Sequence, residues 1–298
     1  MAEEKEVPFE TKEMKKYFES IKKQVLKEYE IANEARKKGF DPEEKVDSPL
    51  AENMIERVEG IISVVAPQLV GSGADKRMFE LEKEYGVLDW RVALVIAEEV
   101  AKEKFCKFKD KKEAMEVGIR TGFAYHTLGI VAAPLEGFIG IDIKNTKDGK
   151  EYFAIRFAGP IRGAGGTGAS VCVLIADYVR KKMGYAKYDP DENEVNRFVT
   201  ELYDYHERIT NLQYLPTEDE IKFLASNMPI EVGGDPTEKI EVSNYKDLPR
   251  INTNKIRGGL CLVFAMIALK APKLWKRLEK WGTDFYDEDW QFLDEFLK

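Results

Sequence analysis

An alternating strand that runs directly into a cluster of glycines places the strongest constraint on how this chain can fold. Phe153, Ile155 and Phe157 alternate with small or charged residues, which is the period of a half-buried strand. Gly159–Pro160 ends that strand. The run from 138 to 144 alternates in the same way and is followed by the turn residues 146–149, so an antiparallel hairpin is predicted.

The segment after this hairpin predicts an anion site. An apolar helix is expected over residues 171–183, with Thr167 or Ser170 as its N-cap. Glycines before it permit positive φ and a close approach of the backbone to a ligand. Backbone N–H groups at a helix start, next to an arginine, suit a phosphate. The candidate phosphate-binding residues of this first loop are Arg162, Gly163, Gly165, Gly166 and Thr167.

Two other interpretations of this loop stay open. Gly163-x-Gly165-x-x-Gly168 has the spacing of a dinucleotide-binding turn, but a single match is weak and the antiparallel hairpin is the wrong context. The loop can also be a tight structural turn. A triphosphate loop is disfavoured because no Gly-Lys-Ser/Thr follows.

A second loop resembles the first. Ile256-Arg-Gly-Gly259 repeats the Ile161-Arg-Gly163 pattern, and each loop opens an apolar helix that contains a cysteine, here expected over 260–271. Loops that converge would form a basic, amide-rich patch able to hold phosphates. The alternative is that the arginines pair with nearby acids. The second loop contributes the candidates Arg250, Asn252, Asn254, Lys255 and Arg257.

Net charge limits the kind of binding surface. With a formal charge of −8, the chain is excluded from the uniformly basic nucleic-acid binders, although a local basic patch is not excluded. No signal peptide or membrane span is predicted, because the apolar stretches are short and interrupted by charge. The three cysteines lack metal spacing and fit reduced core residues of a cytoplasmic protein.

Residues 1–47 predict an amphipathic helix and a linker. A narrow apolar stripe, spaced 4, 3 and 4, lies among Lys and Glu and resembles a coiled-coil seam. It can pack on its own domain or form an assembly interface, and we expect self-association. The stripe consists of Met14, Phe18, Ile21 and Val25.

Residues 48–282 predict a helix-rich, mixed α+β domain. Asp110 with Glu113 and Thr217 with Glu220 have the spacing of helix caps. Residues 230–232 and 240–242 are interpreted as a second short hairpin. Residues 283–298 begin a further amphipathic helix whose apolar stripe, which includes Trp290 and Leu293, is expected to be exposed and truncated.

The remaining polar residues give no catalytic or metal site. The acids at 189–192 are interpreted as the N-terminus of an amphipathic helix rather than as metal ligands. His206 is expected to be a satisfied histidine near the apolar face, and His126 has no partner at metal spacing. No catalytic residue, metal ligand or cofactor is assigned.

Four segments together carry a family resemblance. They are residues 119–125, 128–137, 157–170 and 248–259, with the sequences IRTGFAY, LGIVAAPLEG, FAGPIRGAGGTGAS and LPRINTNKIRGG. The chain resembles the N-terminal region of the large subunit of archaeal family D DNA polymerase over most of residues 45–280.

The resemblance implies a replicative DNA-directed DNA polymerase that uses magnesium and pairs with a small subunit carrying the 3′–5′ exonuclease. The family's catalytic aspartates lie in a later region, so this segment is expected to be non-catalytic and to serve DNA-backbone binding and assembly. A purely structural module that braces the catalytic core is the alternative. A stand-alone nucleotide-binding enzyme ranks last.

Overall fold

A computed structural model describes residues 11–40, 51–127, 130–237, 239–282, 285 and 288–298. Contacts between Cα atoms divide the chain into Met1–Ala51 and Glu52–Lys298. The boundary expected between residues 47 and 48 lies outside the described residues.

The first unit contains the expected amphipathic helix, α1 (Lys12–Lys37). Thr11 caps it, because its side-chain Oγ1 accepts the N–H of Met14 at 3.2 Å. The predicted stripe lies on this helix, with Met14, Phe18 and Ile21 exposed and Val25 half-buried. Self-association through the stripe stays a prediction.

The second unit is helix-rich with one small sheet, as the sequence predicts. Its strands are β1 (Phe138–Asn145), β2 (Glu151–Phe157) and β3 (Glu231–Gly234). Its helices are α2 (Met54–Ser63), α3 (Ala74–Tyr85), α4 (Trp90–Ala101), α5 (Lys111–His126), α6 (Gly165–Lys182), α7 (Glu192–Arg208), α8 (Glu218–Asn227), α9 (Gly258–Trp281) and α10 (Phe292–Phe296).

Side chains that satisfy free backbone N–H groups fix several helix starts. Both predicted caps are confirmed: Asp110 Oδ1 accepts the N–H of Glu113 at 2.8 Å, and Thr217 forms a reciprocal capping box with Glu220. Asp191 forms a second box with Glu194 at the start of α7. Asp191 therefore caps α7, in agreement with the helix N-terminus that the sequence predicts here.

The sheet has the order β1-β2-β3. The hairpin of β1 and β2 is confirmed, with Ile141 opposite Ile155. The second predicted hairpin is wrong, because β3 pairs in parallel with β2 and places Val232 beside Ile155. Residues 240–242 bond instead to 254–256: Ile256 N–H donates to the Ile240 carbonyl at 3.0 Å. Residues 230–232 and 240–242 are similar short apolar runs, and only the burial of β3 beside β2 distinguishes one from the other.

Helix α9 lies at the centre of the second unit and contacts α6, α7, α8, α10, β2 and β3. Its predicted end at Ala271 is wrong. Pro272 removes the N–H that would reach the Ala268 carbonyl, but buried Leu274 and Leu278 hold the following turns against the core. Among the described residues, α9 alone has the length and apolar character of a membrane span, and its central packing accounts for that character.

The C-terminal residues pack onto the same unit. Trp290 and Leu293 are 2% and 0% exposed, and Trp290 Nε1 donates to Asp177 Oδ2 at 2.8 Å. The expected exposed stripe is therefore wrong for these residues, because α10, which contains Leu293, packs against α8 and α9. Leu297 is 41% exposed.

The contact between α9 and the end of β2 gives a first prediction. A Cβ on Gly259 would lie 2.3 Å from the Phe157 carbonyl oxygen, so Gly259→Ala should destabilise the protein by about 2 kcal/mol or more in urea unfolding. Gly60→Ala is the matched control: nothing lies within 4 Å of its Cβ position inside α2, so this change should stabilise by about 0.5–1 kcal/mol. Equal effects of the two changes would contradict the close approach.

Candidate nucleic-acid interface

The first arginine loop is shorter than the sequence predicts. Gly159–Ala164 forms a 3₁₀ turn, and α6 already begins at Gly165, where φ is +67°. Thr167 and Ser170 therefore lie inside the helix and do not cap it, and the Ser170 hydroxyl donates to the Gly166 carbonyl at 2.8 Å. Most of the glycine cluster belongs to the first turn of α6, not to a loop.

The two arginine loops are adjacent. A Cβ on Gly259 would lie 2.7 Å from the Ala158 nitrogen, directly before the first loop. Tyr205 joins them: its ring packs on Gly258, and its hydroxyl lies 3.5 Å from Nη2 of Arg162. The fold thus brings together the two segments that resemble each other.

Arg257 nevertheless points into the protein. It is 4% exposed, and its Nη2 and Nε donate to Glu201 at 2.7 and 3.0 Å. Burial alone would lower the pKa of this guanidinium, but the Glu201 carboxylate holds it above its ordinary value. Arg197, fully buried, donates to the same carboxylate at 3.1 Å. Arg257 is committed to an internal ion pair.

Arg250 is also paired within the chain. It contacts Asp189 and Glu194, and its guanidinium lies over the rings of Tyr152 and Tyr188. Burial would lower the pKa of Arg250, but its hydrogen bonds to the two acids raise it above its usual range. The alternative that the arginines pair with nearby acids therefore describes both Arg250 and Arg257.

The polar candidates of the second loop divide into two kinds. The Asn254 side chain exchanges two hydrogen bonds of 2.8 Å with Asp247, so it holds the loop together. Asn252 and Lys255 are exposed. Neither joins the surface around Arg162, which is built from other residues.

Arg162 is exposed and forms no ion pair with any residue that the structure describes. Arg162 lines a groove together with Leu262 and Met266 of α9. The face of α9 that continues from these two residues is here called the α9 stripe: Leu262, Met266, Lys270, Lys273 and Arg277. A Cβ on Gly166 would lie 2.7 Å from Met266 Sδ and 2.9 Å from Lys270 Cε, so glycine lets α6 approach the stripe closely. Lys273 Nζ donates to Thr167 Oγ1 at 3.3 Å.

The three cations of the α9 stripe were not predicted from the sequence as binding residues. Lys270, Lys273 and Arg277 are spaced 3 and 4, which places them on one helix face, but the helix was expected to stop before Pro272. None of them forms an ion pair within the described ranges. Lys273 and Arg277 lie 5.9 and 5.5 Å from the centre of the Trp90 ring, which orients both cations without neutralising them.

His126 lies beneath this cationic surface. Its ring meets the Trp90 ring edge-on, with 5.2 Å between the centres. Burial and the nearby Lys273 ammonium lower the pKa of His126 to about 4. The neutral histidine therefore adds no charge to the surface at neutral pH. His206 is satisfied, as predicted, by accepting the Leu212 N–H at 3.0 Å.

The acids at 189 and 191 have structural partners within the chain. Asp189 pairs with Arg250, and Asp191 caps α7. No group of three His, Cys, Asp or Glu suited to a metal ion occurs among the residues described.

The fold and the surface define a helix-rich α+β domain with a glycine-rich helix start, beside which lie cations that have no ion pair in the described part of the chain. This chain belongs to the family described as "DNA polymerase II large subunit DP2, N-terminal", whose sequence model matches residues 16–298. The resemblance that the sequence motifs carry is thereby confirmed.

Curated relatives agree with this membership. The chain is 47% identical over 283 residues to the DNA polymerase II large subunit of Nanoarchaeum equitans, covering 95% of this chain and 23% of the relative. The large subunits of Archaeoglobus fulgidus and Methanosarcina barkeri are each 42% identical, over 96% and 95% of this chain and 24% of each relative. The chain thus spans about a quarter of the curated relatives it matches.

The buried pairing of Arg257 gives a second prediction. Glu201→Ala would leave Arg197 and Arg257 buried without their carboxylate, so we expect a loss of about 3–5 kcal/mol in the free energy of unfolding. Glu218→Ala is the control, since its pair with Lys222 is exposed and should change stability by less than about 1 kcal/mol. Denaturant midpoints measure both, and comparable losses would argue against the internal brace.

His126 predicts a pH dependence of stability. Its pKa is about 4 when folded and near 6.5 when unfolded, so the unfolded chain binds the extra proton between these values. The contribution of His126 to the free energy of unfolding is complete above about pH 6.5 and falls by roughly 2–3 kcal/mol as the pH drops to 4. His126→Gln should remove this part of the slope in unfolding measured across that range. An unchanged slope would show that His126 titrates normally in the folded protein.

Proposed function

We propose that this chain is a non-catalytic, N-terminal part of the polymerising subunit of a DNA-directed DNA polymerase, and that it holds nucleic acid through the phosphate backbone. Family membership and the names of the relatives support the polymerase assignment. The observation that carries the backbone contact is a set of four cations that form no ion pair with the residues that the structure describes: Arg162, Lys270, Lys273 and Arg277.

The physical argument for phosphate binding rests on the positions of the cations that have no acidic partner among the described residues. The protein has a net charge of −8, and most buried or half-buried arginines described here are matched by acids. Cations that remain unmatched on one surface create a local positive potential that an acidic protein otherwise lacks. Such groups bind phosphates irrespective of base sequence, as a polymerase requires.

Assembly is part of the same proposal. The relatives are named large subunits, which points to a complex with a smaller subunit; the resemblance assigns the 3′–5′ exonuclease to that partner.

We propose α1 as a self-association element, since Met14, Phe18 and Ile21 are exposed on one helix. Deleting residues 1–30 should lower the mass measured by light scattering. An unchanged mass at all concentrations would exclude α1 from that role.

A bracing module without DNA contact is the second candidate function. Glu201 and its two arginines favour it, because they tie the second loop to α7 and α9 inside the protein. Arg277, one turn before the end of α9, also interacts favourably with the helix dipole, which gives it a structural use. The two functions differ in whether the protein binds DNA when salt is low.

Binding to labelled primed and single-stranded DNA across a salt series separates the candidates. Arg162→Ala and Lys273→Ala should each weaken binding and lower the slope of log affinity against log salt by roughly one. Lys76→Ala is the matched control, since it removes the same charge from an exposed position on α3. Neither variant removes an internal ion pair, so folding should be retained.

The pattern across these variants decides the outcome. Selective loss for Arg162→Ala and Lys273→Ala identifies the phosphate-binding surface. Equal weakening by all three changes would show that DNA binding depends on the overall charge of the protein and not on this surface. Absence of any binding at low salt would leave the bracing module as the function.

A further inference from the structure

A groove lies beside Arg162, between the first arginine loop, the residues after α7 and the start of the α9 stripe. Its volume is about 280 Å³. The floor is apolar and is formed by Ile161, Leu212, Leu262 and Met266. Two of these side chains, Ile161 and Leu212, are 1% and 6% exposed, so the floor belongs to the packed core.

Unused hydrogen-bonding groups line the rim. Asn211 and Gln213 are exposed, and their side-chain amides form no hydrogen bond with the described residues. Their loop is nevertheless fixed, because His206 Nδ1 accepts the N–H of Leu212 and the Tyr205 carbonyl accepts that of Thr210, both at 3.0 Å. A held loop that presents free amides over an apolar floor is the arrangement of a small-ligand site.

The cation at the mouth completes the chemistry. Arg162 lines the same groove, and the α9 stripe continues from the floor residues Leu262 and Met266 to Lys270 and Lys273. A ligand seated on the floor would therefore have its negative charge beside Arg162 and the lysines. Amides that both donate and accept hydrogen bonds match the edge of a nucleobase.

We propose that this groove receives the base of an unpaired nucleotide in a nucleic-acid strand whose phosphates lie on Arg162 and the α9 stripe. The inference rests on the proposed function, because the same cations hold the backbone. The size supports a single base: ligand sites for larger molecules run from roughly 300 to 1,000 Å³. A paired base could not enter, since its edge is covered by its partner.

Two strands of equal length and charge isolate the base: a short oligothymidine, and an abasic strand with the same number of phosphates. The oligothymidine should bind about fivefold or more tightly, the value of one or two hydrogen bonds with apolar contact. Asn211→Ala/Gln213→Ala should weaken only the oligothymidine and leave the salt slope unchanged. Asn145→Ala/Asn227→Ala, which also removes two exposed amides, should change neither strand.

The outcomes distinguish this inference from the proposed function. Equal affinity for the two strands overturns the base site while backbone binding stands, and the groove then serves another occupant such as a protein side chain. If neither strand binds, both the base site and the proposed backbone binding are overturned. Thymidine monophosphate is the last arm: competition within about tenfold of the oligothymidine affinity would identify a free-nucleotide pocket and overturn the strand site.

Arg162→Ala provides the internal check. It removes a phosphate contact and leaves the amides in place, so both strands should weaken by the same factor and their ratio should persist. Combining it with Asn211→Ala/Gln213→Ala in a cycle should give additive effects if the base and phosphate are held by separate groups.

Discussion

One buried carboxylate, Glu201, determines how the two arginine loops can be used. Two guanidiniums converge on it from α7 and from the start of α9, at depths where an unmatched charge is costly. Arg197 is satisfied further by the carbonyls of Tyr245 and Thr253, so the segment before α9 is held by the same network. Without Glu201, the start of α9 would lose its ion pair to α7.

This arrangement separates two motifs that look alike. Each has an isoleucine, an arginine and a glycine before an apolar helix, and each helix start needs glycine for close contact. Yet Arg257 meets a carboxylate from α7, whereas Arg162, among the described residues, meets only the Tyr205 hydroxyl at 3.5 Å. Their different roles follow from the partner that the tertiary structure supplies, not from the local sequence.

The sequence predicted the features that depend on neighbours along the chain. The hairpin of β1 and β2 follows from alternation and a turn, and the caps at Asp110 and Thr217 follow from their spacing to an acid. Membership of the polymerase family followed from long motifs. These signals are local or are shared across relatives.

Features set by distant contacts were missed. Parallel pairing of β3 with β2 joins residues about eighty positions apart, and no local pattern predicts it. Pro272 indicated a helix end, but burial of Leu274 and Leu278 overrides that local preference. The error then hid Lys273 and Arg277. An extended helix would have placed both on the same face as Lys270.

Because α9 carries part of the groove floor, three of the cations and the contact with β2 in one continuous element, its face has a fixed length. From Leu262 to Arg277 the rise is about 22 Å at roughly 1.5 Å per residue. A helix cannot lengthen to follow a bound strand, so any strand lying along it must adopt the spacing of these side chains. The rigid helix therefore sets the spacing, and the loss of conformational entropy on binding occurs in the strand.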